Sequence, residues 1–294
     1  MKKRRFGNTG LEVCPVGLGG FPFGGRQLSA GWNPWTPEGR RTAIATVHRA
    51  IERGINYMDT APSYGDGNSE SIFGEALEDR RDQVILATKC PWQGATADAI
   101  IASVHASLKR LKTDHADVIQ LHGGMFEPAD VDHIVNGGPL DALLRMKKEG
   151  KTRFIGFTTE EPWTARPLIS LGVFDMVQLR YNLGFQSAAL HALDDAKKAG
   201  LGVAIMRPLT SGIFPRLVGA LAPEWQKAKD VWAVALSFVL SDSRVHVANV
   251  GMRWPGEVDK NVDLAESLNP GADIADLPRW TIDVYRTADR EAGL

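Results

Sequence analysis

Residues 83–122 read QVILATKCPWQGATADAIIASVHASLKRLKTDHADVIQLH. QVILATK is a short β-type run, rich in apolar and β-branched residues. After a turn containing Pro91 and Gly94, Ala97, Ile100, Ile101, Val104, Leu108 and Leu111 recur at helical spacing. ADVIQLH is then a second β-type run. Strand, helix, strand within forty residues is the unit of a parallel sheet covered by helices.

The same alternation extends in both directions. Upstream, RRF-GNTG-LEV reads as a hairpin around a Gly-rich turn, and VCPVGLGG as a strand ending in glycines. A helix is expected over 38–52, with Ala43, Val47, Ala50 and Ile51 on one face, and INYMD is the next strand. A helix near 69–77 follows, capped by Asn68 or Ser69, with Ile72, Phe73, Ala76 and Leu77 inward. Downstream, the strands TRFIGFT, FDMVQLRYN, LGVAIMRP and VHVANVG are each followed by a helical pattern. Two of those helices are closed by Gly172 and Gly200, and EWQKAKDVWAVALSFVLS reads as one helix. Eight such units in 294 residues favour a (β/α)8 TIM barrel with an N-terminal β-hairpin. Residues 1–294 are expected to form one domain, with a C-terminal tail helix over 278–291.

Bulk properties exclude several classes. Hydrophobic content is 44% and formal net charge −1, with the charges mixed along the chain. No nucleic-acid partner and no anionic membrane is expected. MKKRR is basic but leads into no apolar core, and the longest apolar run, VWAVALSFVL, falls short of the roughly 20 residues that span a bilayer. Two cysteines, Cys14 and Cys90, give neither a disulfide framework nor a metal cluster, and a cytoplasmic location fits. The expected state is a monomer or weak homo-oligomer.

Active sites of such barrels form where strands end and βα loops begin. The second strand ends in Asp59, with Tyr64 in its loop; the third ends in Lys89 and the fourth in His122. An acid, a tyrosine, a lysine and a histidine from three adjacent strands make a coherent set. Tyrosine titrates near pH 10, too high for easy proton transfer, and a nearby ammonium lowers that value. A carboxylate keeps the lysine charged and in place. A neutral histidine can donate to a substrate oxygen. Together they form a general acid aimed at a carbonyl oxygen, and the missing reductant must come from a cofactor. Two other readings use the same residues: a Schiff-base lyase built on Lys89, and a non-catalytic nucleotide sensor or regulatory subunit.

The order and spacing of RRFGNTGLEVCPVGLGG, GINYMDTAPSYGDGNSE, ILATK, SLKRLKTDHADVIQLH, GKTRFIGFT and VQLRYN resemble the aldo-keto reductases nearly end to end. The resemblance implies an NAD(P)H-dependent barrel that reduces a small-molecule aldehyde or ketone. It makes Tyr64 the general acid/base, tuned by Lys89 and Asp59, with His122 orienting the carbonyl. It places Gly20 and Phe21 at the first-loop cofactor contact, beside Asp59. Thr158, Thr159 and Gln178 stand where the family holds the nicotinamide carboxamide, commonly with a Ser-Asn pair. Met206 replaces a frequent stacking aromatic. Arg207, Pro208, Leu209, Ser211 and Gly212 resemble the pyrophosphate loop, and Gly251, Arg253, Glu257 and Asn261 the adenosine-phosphate segment. Glu257 would repel the 2′-phosphate of NADP(H) and Arg253 could compensate. NADP(H) is the first expectation and NAD(H) the rival.

Other features carry weaker signals. GLGGFPFGG lacks the spacing of a dinucleotide fingerprint. His105, His115, His133 and His191 read as solvated or structural. Trp32, Trp35 and Trp92 are either loop packing or an aromatic wall for an apolar substrate. Residues 123–138 are either a flap over the pocket or structural padding.

Overall fold

The computed structural model describes residues 1–267 apart from 222 and 229. Strands β1 (Arg4–Arg5) and β2 (Glu12–Val13) pair antiparallel as the expected hairpin. Eight parallel strands close into a barrel. They are β3 (Val16–Gly19), β4 (Tyr57–Asp59), β5 (Ile85–Cys90), β6 (Ala116–Leu121), β7 (Thr152–Thr159), β8 (Met176–Arg180), β9 (Gly202–Met206) and β10 (Val247–Gly251). Each neighbours the next in chain order, and β10 pairs with β3 to complete the ring.

The helices between them are α1 (Phe21–Gly24), α2 (Pro37–Glu52), α3 (Asn68–Ala76), α4 (Ala97–Arg110), α5 (Pro128–Asn136), α6 (Pro139–Lys148) and α7 (Arg166–Ser170). They continue with α8 (Ser187–His191), α9 (Leu193–Lys198), α10 (Ile213–Leu221), α11 (Pro223–Ala228), α12 (Val231–Ser241) and α13 (Pro255–Ser267). Residues 123–138 are not featureless, since they contain α5. The helix expected across 224–241 is two. Asp230 interrupts it, its carboxylate accepting from the backbone N–H of Trp232 and Ala233 as the N-cap of α12. An Asp that satisfies two orphan donors starts a helix more effectively than it continues one. The expected tail helix over 278–291 lies outside the described residues. Among those residues, no helix is long and apolar enough to cross a membrane.

Strand alternation divides the barrel interior into two layers. Tyr57, Ala87, Val118, Met176 and Val247 point inward near the strand starts, and the hairpin residues Phe6 and Val13 plug that end. Two residues further along the same strands stand Asp59, Lys89, Gln120, Gln178 and Asn249, all buried. Side chains at i and i+2 share a face, so an apolar floor supports a polar layer beneath the strand ends. The residues between, such as Met58, Ile119, Val177 and Ala248, face the helices.

Candidate active site

The polar layer is organised around Asp59. Its carboxylate accepts from Lys89 Nζ at 2.7 Å and from Gln120 Nε2 at 3.1 Å, with Gln178 Nε2 at 3.5 Å. Lys89 Nζ also donates to the Thr60 carbonyl at 2.8 Å. Asp59 is 3% exposed and Lys89 2%, so the pair is cut off from bulk solvent. Burial alone would push the Lys89 ammonium down; the attraction of Asp59 and Tyr64 outweighs it and holds Lys89 above the ordinary lysine value. Register explains the meeting: Asp59 pairs with Ala87, so Lys89 rises from the same face of β5 two residues on.

Tyr64 stands over this pair. Lys89 Nζ is 4.8 Å from the centre of its ring. His122 meets the ring edge to face at 5.6 Å, and Phe21 does so at 5.3 Å. The expectation that Lys89 lowers the Tyr64 value is met only in part. Burial raises it, Lys89 pulls it down, and Asp59 and Glu160 push it up, so the phenol stays above its ordinary value. Tyr64 therefore holds its proton at neutral pH. His122 is pushed down to about 3 by burial and by the Lys89 charge, so its imidazole is neutral. Its Nδ1 lies 3.3 Å from Ser63 Oγ.

The loop carrying Tyr64 is firmly held. Gly65, Asp66 and Gly67 follow it with φ of 63°, 47° and 88°, a left-handed run that two glycines make tolerable. Gly67 therefore caps α3, where a side-chain cap from Asn68 or Ser69 was expected. Those side chains are engaged elsewhere. Asn68 Nδ2 donates to the Phe23 carbonyl at 2.8 Å, and Ser69 Oγ to the Gly20 carbonyl at 2.9 Å. Both bonds tie the Tyr64 loop to the loop after β3. Behind them the fully buried Glu70 accepts from Thr88 Oγ1 at 2.6 Å and from Arg110 Nε at 2.7 Å.

The residues expected at the cofactor occupy the neighbouring strand ends. Thr158 faces the interior and accepts from the Gly123 N–H. Thr159 is turned the other way, as strand alternation requires. Its hydroxyl donates to the Gly124 carbonyl, across to the loop after β6, and accepts from the nearby Glu161 N–H, both structural duties. Gln178 Oε1 is buried without a hydrogen-bond partner, an acceptor that a carboxamide N–H would satisfy. After β9, Arg207, Ser211 and Gly212 adopt φ of 55°, 54° and 76°. Successive amides in such turns form anion-binding concavities. Pro208 is buried there, and Met206 and Leu209 are partly exposed. Arg207 grips Glu160 at 2.8 Å and donates to Ser211 Oγ at 3.1 Å.

At the last strand end, the Glu257 carboxylate accepts from the Arg253 N–H and lies 4.0 Å from its guanidinium. Part of the Arg253 charge is thereby committed. Asn261 Nδ2 donates to the Glu257 carbonyl at 2.7 Å, keeping Glu257 and Asn261 on one side of α13. Gly251 packs against Pro22: a Cβ there would lie 2.9 Å from the proline ring, which brings Gly20 and Phe21 beside β10.

Two tryptophans prove structural. Trp32 donates to the Pro22 carbonyl and packs on Phe23 and Trp254; Trp92 donates to the Gly123 carbonyl and packs on Phe126. Trp35 remains 46% exposed beside the Tyr64 loop. The strand ends also bring in residues that were not anticipated: Gln120 on Asp59, Ser63 on His122, and Glu160 on Arg207. Gln120 was detectable, since it stands two residues before His122 on an alternating strand. Glu160 left no signal, because its partner is forty-seven positions away.

A family model described as the aldo/keto reductase family matches residues 15–277. The chain is 31% identical to L-galactose dehydrogenase of Arabidopsis thaliana, over 90% of this chain and 88% of that protein. It is 29% identical to the NADH-specific methylglyoxal reductase of Escherichia coli, over 79% and 75%. An aldo/keto reductase structure from Klebsiella pneumoniae in complex with NADP and acetate superposes with a TM-score of 0.75 at 24% identity, covering 95% of both chains.

Proposed function

The chain belongs to the aldo/keto reductase family, and from that premise we propose that it reduces an aldehyde or ketone to an alcohol, with Tyr64 as the proton donor. The observation that carries this reading is the buried Lys89–Asp59 pair beneath a protonated Tyr64, with a neutral His122 at the ring edge. The reductant is a nicotinamide dinucleotide, NADPH or NADH, which supplies hydride to the carbonyl carbon. Thr158 and Gln178 fit its carboxamide, the 207–212 turn its diphosphate, and Arg253 with Asn261 its adenosine end. Thr159, whose hydroxyl is taken by the Gly124 carbonyl and the Glu161 N–H, is left out of that set.

In this reading the carbonyl oxygen sits against Tyr64 and His122. Tyr64 gives its proton as negative charge develops on that oxygen, and His122 donates a hydrogen bond that orients it. The fixed ammonium of Lys89 stabilises the phenolate left behind, and Asp59 keeps Lys89 charged. A Schiff-base role suits Lys89 poorly. It is held above the ordinary lysine value and donates to two oxygens, so it offers no lone pair for attack. A purely regulatory role leaves the assembled set of four reactive side chains without a use.

The test is titration with NADPH and NADH, then a panel of carbonyl compounds with the tighter cofactor, for the parent protein and Tyr64→Phe. Loss of a general acid lowers turnover by about 10²–10⁴-fold. The variant is expected to bind cofactor normally and reduce nothing at more than about a hundredth of the parent rate. Undiminished turnover in Tyr64→Phe would remove Tyr64 from the chemistry.

A further inference from the structure

Most of the cations around the strand ends are committed to a carboxylate among the described residues. Lys89 is bonded to Asp59, Arg207 to Glu160, and Arg253 lies beside Glu257. Arg180 is 3.8 Å from Glu160 and stacks on Phe185 at 4.0 Å. Arg26, exposed in the loop after β3, has no carboxylate within ion-pairing distance among the described residues. Its guanidinium is held over the ring of Trp35, 5.9 Å from the centroid. An aromatic face holds an arginine without neutralising it.

The position of this pair gives it a purpose. A Cβ on Gly65 would lie 2.9 Å from the Trp35 ring and 2.7 Å from Gly24 Cα, so the Arg26–Trp35 loop is in direct contact with the residue after Tyr64. Phe21, 68% exposed and edge-on to the Tyr64 ring, begins the same loop. Phe21 and Trp35 are thus two exposed aromatic side chains bordering Tyr64 and the residue after it. Over the Trp35 ring stands a planar, permanently charged donor fork suited to a carboxylate.

We propose that Arg26 and Trp35 form a specificity subsite for the distal carboxylate of an oxo acid, an aldehyde or ketone with an anionic group several bonds from its carbonyl. The proposal rests on the carbonyl-reductase reading and deepens it. Arg26 touches no reacting atom in it. Its contribution is to bind and align the far end of the substrate, and so falls on KM.

The experiment uses the full chain with its preferred cofactor and unbranched ω-oxo acids of four to eight carbons, each beside its methyl ester. The ester keeps the aldehyde and the chain but removes the charge. In the parent protein, kcat/KM for at least one acid is expected to exceed that of its ester by about tenfold or more, the ratio of a charge-assisted contact. Arg26→Ala should collapse that ratio through KM of the acid, and Arg26→Lys should restore part of it. Trp35→Leu should weaken the preference by releasing the guanidinium. A parent that prefers no acid at any chain length, or an Arg26→Ala variant that keeps the preference, overturns the subsite. If neither acids nor esters are reduced while another carbonyl compound of the panel is, the subsite falls and the carbonyl-reductase reading stands; if no carbonyl compound is reduced, both fall.

Discussion

Replacing Asp59 by Asn tests the centre of the site without changing its shape. Lys89 Nζ lies 2.7 Å from the Asp59 carboxylate, and both groups are almost fully buried. At an effective dielectric of about 20, opposite unit charges at this separation attract by about 6 kcal/mol. Desolvation offsets much of that, so the quantity to measure is the cost of stranding one partner, about 3–5 kcal/mol. In Asp59→Asn, Lys89 keeps the Thr60 carbonyl but loses its counter-charge. Urea unfolding at pH 7, analysed by linear extrapolation, should show this loss as a lower midpoint at unchanged slope. Lys89→Met strands the Asp59 carboxylate in turn and should cost a comparable amount, and the double variant should recover at least half of the Asp59→Asn loss, because no unpaired charge remains. The sign of the pH dependence follows from Lys89. Its folded-state value is raised, so its stabilisation is complete below the unfolded lysine value of about 10.4 and is lost as pH rises through the folded value. Asp59→Asn should flatten that alkaline loss. An Asp59→Asn protein within about 0.5 kcal/mol of the parent, with the same alkaline slope, would refute the coupling of the pair.

Two further outcomes follow from the site's electrostatics. His122 is held down to about 3 in the folded chain against about 6.5 when unfolded, so protonation favours the unfolded state as pH falls below 6.5. Thermal unfolding midpoints of the parent should drop between pH 6.5 and 4 more steeply than those of His122→Asn; parallel curves would show that His122 is not held neutral. Glu257→Gln keeps an acceptor for the Arg253 N–H while removing a charge. Taking about 5 Å to a doubly charged 2′-phosphate in water-like dielectric, the repulsion removed is about 1.5 kcal/mol, so the ratio of NADPH to NADH affinity should rise roughly tenfold. Fluorescence titration of both cofactors checks it, and an unchanged ratio would place Glu257 away from the 2′-phosphate.

The sequence by itself determined the barrel, because the signals that build it are local. Apolar residues at helical spacing in 97–111 and β-type runs such as QVILATK meet their requirements within a few neighbours, and eight repeats leave a closed parallel ring as the way to cover every strand. The two layers of the interior were legible in the same way, since Tyr57 and Asp59, or Val118 and Gln120, are two apart on one strand. Asp59, Lys89 and His122 could be placed together for that reason. Tertiary structure decided what depends on partners from other units. Thr159, turned outward by strand alternation, has its hydroxyl taken up by the Gly124 carbonyl in the loop after β6, thirty-five positions away. Arg207 faces Glu160, and part of the Arg253 charge goes to Glu257. Trp32 and Trp92 became packing while Trp35 stayed at the surface. Tyr64 kept its proton because burial, a property of the whole enclosure, outweighed the one ammonium that the sequence had placed beside it.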